Sequence, residues 1–332
     1  MSELAVIYHD IFAADYSVTG IRQDGGDSRP VIITGSYQQA TSKQPQALLY
    51  SGPLYPTDSS GYHYFQPAFS GQTVTSAVFY GPTTPLFDPG IGKGNVRVVG
   101  SYKYSEGGKG DHGMIYQGPI DGSGVWTALD LPADLAGGTV ANVIAHSTMG
   151  DLVVGNYDLE KQPGSANAFI YHIKTKTYTL LDLGPLTTAY GVWQNRDDGS
   201  YTIVGGSKAD GGLNKGLVFS YDAATGTISH VTTFSGNNDP GLITHFEGIT
   251  ELGEGYSLAA ETDKGAAVAI ISRKADGSYG EATWIAIANP AADGICTGNS
   301  ILENNLIGIY QPSSGGIQSY VTSVTGGSAA SA

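Results

Sequence analysis

Cysteine is almost missing from this chain: Cys296 is the only one in 332 residues. One cysteine can build neither an intramolecular disulfide nor a thiolate metal cluster. Between Ile295 and Thr297 it reads as a buried thiol on a strand. Charge is scarce as well, at 14% of residues, and base is the scarcer sign. Sixteen Lys and Arg face thirty Asp and Glu, for a formal net charge of −14. That field repels nucleic acid and anionic membranes, so neither is expected as a partner; a neutral or cationic ligand, a small molecule or a glycan, is expected instead. No stretch approaches the roughly 20 apolar residues of a transmembrane helix. The opening "MSELAVIYHD" lacks a basic segment followed by a long apolar run, so a cytoplasmic protein is expected, or a secreted one if a leader has been removed.

Helical periodicity is nearly absent too, because glycine and proline interrupt every run long enough to carry it. Motifs for bound metals, cofactors and an activated serine are equally sparse. There is no His-Glu-x-x-His, no Asp-x-Asp-x-Asp-Gly loop and no Gly-x-Ser-x-Gly elbow. "GIGKGN" at Gly90 matches neither a phosphate loop nor a dinucleotide fingerprint and reads as a turn. No metal and no cofactor is expected.

What the chain has in quantity is glycine, tyrosine and repetition. A phrase recurs six times: "VIITGSYQQATSKQPQALLYSG" from Val31, "VRVVGSYKYSEGGKGDHGMIYQG" from Val96, "DLVVGNYDLEKQPGSANAFIYHI" from Asp151, "YTIVGGSKADGGLNKGLVFSYD" from Tyr201, "YSLAAETDKGAAVAIISRK" from Tyr256 and "NLIGIYQPSSGGIQSYVTSV" from Asn305. Gly35, Gly100, Gly155, Gly205 and Gly308 mark five copies, and Ala260 marks the fifth in order. Neighbouring markers lie roughly 48 to 65 residues apart, within or a little above the usual range for four-stranded propeller blades. Each copy has a strand before it, from "DYSVTGIR" to "CTGNSILE". The first five also have one after it, often entered through an Asp-Gly turn such as Asp121-Gly122, Asp198-Gly199 or Asp276-Gly277.

The sixth copy lacks its outer strand, while "ELAVIYHDI" at the N-terminus has no blade of its own. Closure of the ring by the first strand resolves both and removes exposed edges. The expectation is an all-β, six-bladed β-propeller: one domain over residues 1–326, then a flexible tail over 327–332.

The passage from Ala168 to Ser207, "AFIY … YTLLDLGPL … GVWQNRDDGSYTIVGGS", resembles the bacterial HAF-repeat proteins, named for a His-Ala-Phe strand followed by Asp-Leu-Gly and a Val-Val-Gly strand. The matching triplets here are His112-Gly113-Met114 and Asn167-Ala168-Phe169. The likeness covers blades two to four and implies a propeller-like repeat; it implies no catalytic residue.

In a propeller the starts of the inner strands gather around the channel mouth, and ligand sites favour such convergent loops. Aligning the inner strands on the residue before their Ile or Val gives one ring: Thr19, Ser76, Asn142, Tyr190, Glu247 and Asn299. Two residues earlier lies a second, Ser17, Val74, Val140, Thr188, His245 and Thr297, on the same side of each strand. The inequality within these rings points to chemistry. His245 and Glu247 suit an acid–base pair, Tyr190 a third catalytic group, and Asn142, Asn299 and Thr19 substrate contacts. Tyr37, Tyr102, Tyr157 and Tyr310 recur just after the markers. They form either inter-blade packing or an aromatic collar for a ligand. His112, entering a strand from the glycine-rich "EGGKGD", is a candidate lid residue. His146 is expected on the far face.

These readings favour a cofactor-independent enzyme using acid–base chemistry (elimination, isomerisation, cyclisation or hydrolysis) on a small neutral molecule. A lectin-like binder and a protein-interaction scaffold are the alternatives.

Overall fold

The structure is a computed structural model and describes residues 5–25, 29–38, 44–69, 71, 73–104, 110–208 and 213–325. Its strands form six sheets around one axis. Blade one holds β2 (Tyr16–Gln23), β3 (Val31–Tyr37), β4 (Gln46–Gly52) and β5 (Tyr62–Phe65), following β1 (Ala5–Asp10). Blade two holds β6 (Val74–Thr83), β7 (Asn95–Tyr104), β8 (His112–Pro119) and β9 (Val125–Leu129). Blade three holds β10 (Val140–Met149), β11 (Leu152–Leu159), β12 (Gln162–His172) and β13 (Thr177–Leu180). Blade four is β14 (Thr188–Gln194), β15 (Tyr201–Lys208), β16 (Asn214–Asp222) and β17 (Thr227–Phe234). Blade five is β18 (Thr244–Leu252), β19 (Gly255–Thr262), β20 (Gly265–Ser272) and β21 (Thr283–Ala286).

In blade six the inner strand is split into β22 (Ala292–Cys296) and β23 (Ser300–Leu302), both paired to β24 (Asn305–Pro312). Beyond β24 lies β25 (Gln318–Thr325), and β1 completes the sheet antiparallel to it, from Ala5 opposite Thr325 to Asp10 opposite Tyr320. The first strand therefore closes the ring, as its sequence predicts. The expected tail over 327–332 lies outside the described residues.

Middle strands are buried on both faces, which is why they read as near-continuous apolar runs such as Val96–Val99 and Leu152–Val154. Outer strands alternate, as in β9. The core runs between blades. Ile32, Leu49 and Phe65 meet Phe79 and Val98 across the first junction, and Val321, Ile307 and Leu302 meet Ile21 and Ile33 across the closing one. The Asp-Gly turns form as expected: Gly122, Gly199 and Gly277 take φ between 70° and 86°, and each preceding Asp accepts the N–H of the serine two residues on.

The marker glycines serve a different need. A Cβ on Gly35, Gly100, Gly155, Gly205 or Gly308 would lie 1.8–2.2 Å from an inner-strand carbonyl oxygen of the same blade. Ala260 takes the position in blade five, opposite Phe246. Gly205→Ala drives its methyl toward the Thr188 carbonyl, 2.0 Å away. It is expected to cost about 1–3 kcal/mol in urea denaturation. An unchanged midpoint would mean that the strands separate there without penalty.

Candidate functional site

The inner strands are not regular. In each of the first five blades one residue drops out of register against the second strand: Thr19, Tyr80, His146, Tyr190 and Glu247. Such a bulge bends the strand and re-aims the extra side chain. Here all five turn toward the axis, and Asn299, in the gap between β22 and β23, supplies the sixth. These six residues line one axial chamber of about 220 Å³.

A glycine or serine follows each of them because the bulges crowd one another. A Cβ on Gly20 would lie 2.0 Å from the Tyr80 carbonyl oxygen, and one on Gly81 2.5 Å from that of His146. Two ring members also knit the blades together. Asn299 donates to the Val18 carbonyl at 2.6 Å, and Thr19 donates to that of Phe79 at 2.6 Å.

The other four members carry the titratable chemistry. Tyr80, His146 and Tyr190 stand in series, with ring centroids 5.0 and 4.6 Å apart, and His245 follows 5.4 Å from Tyr190. Burial drives the His146 imidazole down to about 4 and keeps it neutral. Burial also pushes the Tyr80 phenol up to about 12, and raises Tyr190, with the negative charge of Glu247 adding to both. His245 Nε2–H donates to Glu247 Oε1 at 2.7 Å. For His245, burial opposes the charge, but the bond to Glu247 and its field, with that of Glu261, outweigh burial and raise the pKa above 6.5.

Glu261 lies directly opposite His245 on β19 and faces a second chamber, of about 390 Å³, that shares Glu247 and Asn299 with the first. Burial raises its carboxyl to about 7, against the lowering effect of the Gly298 N–H bonded to its Oε1; the Glu247 charge adds to the rise. Asn156 holds the equivalent place in blade three and accepts the Ala189 N–H at 2.9 Å in the same way. An amide therefore suffices for that bridge, and the carboxyl of Glu261 exceeds what the frame requires.

Below the ring, Arg22 crosses the axis. Its guanidinium donates to the carbonyls of Ile21, Val192 and Ile249, from blades one, four and five, and lies 5.4 Å from the centre of the Trp193 ring. It is 3% exposed, and burial pushes its pKa down to about 10. The chamber thus has a floor as well as a mouth.

Of the residues singled out from sequence, Tyr190, Glu247, Asn299 and Thr19 lie on the ring, with His245 beside it. The alignment slips by four residues in blades two and three, where the ring members are Tyr80 and His146 in place of Ser76 and Asn142. Strands β6 and β10 run ten residues and carry a second irregularity near the mouth, so their starts are out of step with the others. His146 accordingly stands on the ring and not on the far face. Asn142 lies nearer the mouth; its Oδ1 accepts the Asp111 N–H and its Nδ2 donates to Asp158.

The four tyrosines do not line the chamber. Tyr102 stacks on Phe69 at 4.3 Å, Tyr157 packs in the core between blades two and three, and Tyr310 is buried with its hydroxyl on Asp10. Tyr37 stacks on Tyr16 at the rim of blade one. His112 stacks on Tyr104 and pairs with Asp130 at 3.5 Å, while residues 105–109 of its glycine-rich loop lie outside the described residues.

Sequence reasoning missed Tyr80, His146, Arg22 and Glu261. The first two carry a signal, a bulky residue directly before Gly81 or Ser147, matching Thr19-Gly20 and Tyr190-Gly191. Glu261 is the odd member of the set that follows the markers: Ser36, Ser101, Asn156, Gly206, Glu261 and Ile309.

A roomier polar groove of about 640 Å³ lies between blades four and five, where Arg273 pairs with Asp198 at 2.6 Å. Its buried hydroxyls bond one another (Tyr256 to Thr202, Ser220 to Tyr279), so they are spent on the frame. Among the described residues no group of three metal-ligating side chains comes together, and no helix is long and apolar enough to cross a membrane.

The fold and chamber define a six-bladed β-propeller with a closed-floor axial site. No protein-family model and no curated protein matches the chain. Among solved structures, the crystal structure of a subtype N11 neuraminidase-like protein of A/flat-faced bat/Peru/033/2010 (H18N11) aligns over 98% of this chain and 94% of its own, at 10% identity and a TM-score of 0.49. Neither ligand nor reaction carries over to this chain at that identity.

Proposed function

We propose that the axial chamber and the second chamber, which share Glu247 and Asn299, together form the active site of a cofactor-independent enzyme that performs acid–base chemistry on a small neutral organic molecule. Glu247, oriented by His245, is the base. Glu261, held protonated up to about pH 7, is the acid. Tyr190 and Tyr80 keep their protons and donate to oxygen atoms of the substrate.

One observation carries the reading: two carboxyls on neighbouring strands face the second chamber in different environments, one bonded to imidazole, the other desolvated. Burial that holds the proton on the Glu261 carboxyl fits it for the acid role. The comparison with Asn156 strengthens it, because a buried carboxyl is retained where an amide makes the same bridge.

The test is a mass-spectrometric screen of neutral esters, aryl glycosides, epoxides and β-hydroxy ketones. Turnover is expected to fall off above about pH 7, as Glu261 ionises, and Glu261→Gln should abolish that limb. Stoichiometric binding without conversion across the screen would instead mark a binding module.

A further inference from the structure

Between the ring and the floor lies a small cavity of about 20 Å³, bounded by Arg22, Glu247, Tyr80, His146, Tyr190 and Ser300, among others. It shares five residues with the chamber above, so the two adjoin. Its volume is that of a single water, and a buried water needs two to four polar partners. Those partners are present. Arg22 Nε is fully buried and has no hydrogen-bond partner among the described residues. An orphaned donor of that kind, on a side chain 3% exposed, calls for an acceptor. The carboxylate of Glu247 bounds the same space and can take a proton from what sits there.

We propose that this cavity holds one water between Arg22 Nε–H and Glu247, and that this water is the nucleophile. The inference rests on the acid–base reading above and narrows it to hydrolysis. The water oxygen bonds to the electrophilic carbon of the substrate as its proton passes to Glu247. The bond from that carbon to the leaving oxygen breaks, and the leaving oxygen takes the proton of Glu261. Solvent then reprotonates Glu261 and removes the proton from Glu247, so one ether or ester and one water become two hydroxyl-bearing products. Arg22 is a positioning residue: it fixes the water below the ring and leaves the chamber for the substrate.

Two measurements test this. A high-resolution crystal structure should show one solvent atom within hydrogen-bond reach of Arg22 Nε and Glu247. An empty cavity, or an Nε bonded elsewhere, overturns the site. Turnover of the ester and aryl-glycoside panel in H₂¹⁸O should place one labelled oxygen per turnover, in the product that carries the attacked carbon, and none in the leaving-group product. Arg22→Met should slow that turnover at least tenfold and remove the solvent atom. Should Arg22→Met fail to fold, the wild-type density and label decide alone. Glu247-dependent conversion without label overturns hydrolysis while the acid–base reading stands. No Glu247-dependent conversion overturns both.

Discussion

Replacing Glu247 with glutamine is expected to move the His245 pKa from above 6.5 to below it and to slow turnover by about 10²-fold or more. Three influences act on this imidazole. Burial favours the neutral ring, while the bond to Glu247 and the nearby carboxyl charges favour the imidazolium and prevail. The amide of glutamine still accepts from Nε2–H but brings no charge, so burial wins.

The stability linkage reverses with it. In the wild type the folded pKa lies above the unfolded value of 6.5. Protonation of His245 therefore stabilises the fold below pH 6.5, and that contribution is lost as pH rises through the folded pKa. In the variant the folded pKa is depressed, so the contribution is present above 6.5 and lost in acid. Imidazole NMR titration reads the pKa directly, with His245→Asn assigning the signal. A value that stays above 6.5 in the variant would show that Glu261 supplies the charge, and Glu247 would lose its place as the base.

Glutamine at position 261 has its largest effect on the folded state at alkaline pH. The Glu261 carboxyl titrates at about 7 in the fold against 4.5 when free. A raised carboxyl pKa favours folding fully below pH 4.5, and this contribution fades as pH climbs through about 7. Above that, ionising the buried group costs about 3 kcal/mol at 1.36 kcal/mol per pH unit. Glu261→Gln keeps the acceptor for the Gly298 N–H, as Asn156 does for Ala189, and removes the charge. The variant should therefore match the wild type at pH 4.5 and exceed it at pH 8.5, with a melting temperature higher by roughly 4 °C in a chain this long. A gain equal at both pH values would mean that packing, and not ionisation, sets the difference. Greater alkaline stability together with lost activity would identify a group retained for chemistry at a cost to the fold.

The architecture was legible in the residues because its signals are local. Doubly buried middle strands read as apolar runs, the markers sit where a Cβ would strike a carbonyl, and the unclaimed first strand matched an unfinished last blade. Within the site, Thr19, Tyr190, Glu247 and Asn299 were also legible, since their strands begin in step. Tyr80 and His146 were not, because where a bulge falls depends on how far β6 and β10 overrun the mouth, a matter of pairing between strands.

Glu261 and Arg22 depended wholly on tertiary structure. The carboxyl of Glu261 is raised mainly by burial in a chamber bounded by residues of blades five and six. Arg22 reaches carbonyls of blades four and five, 170 and 227 residues along the chain, which meet it only because the ring closes. Periodicity determines which side of a strand a residue takes. Desolvation and contact across the axis belong to no strand by itself, and arise only when six sheets share one centre.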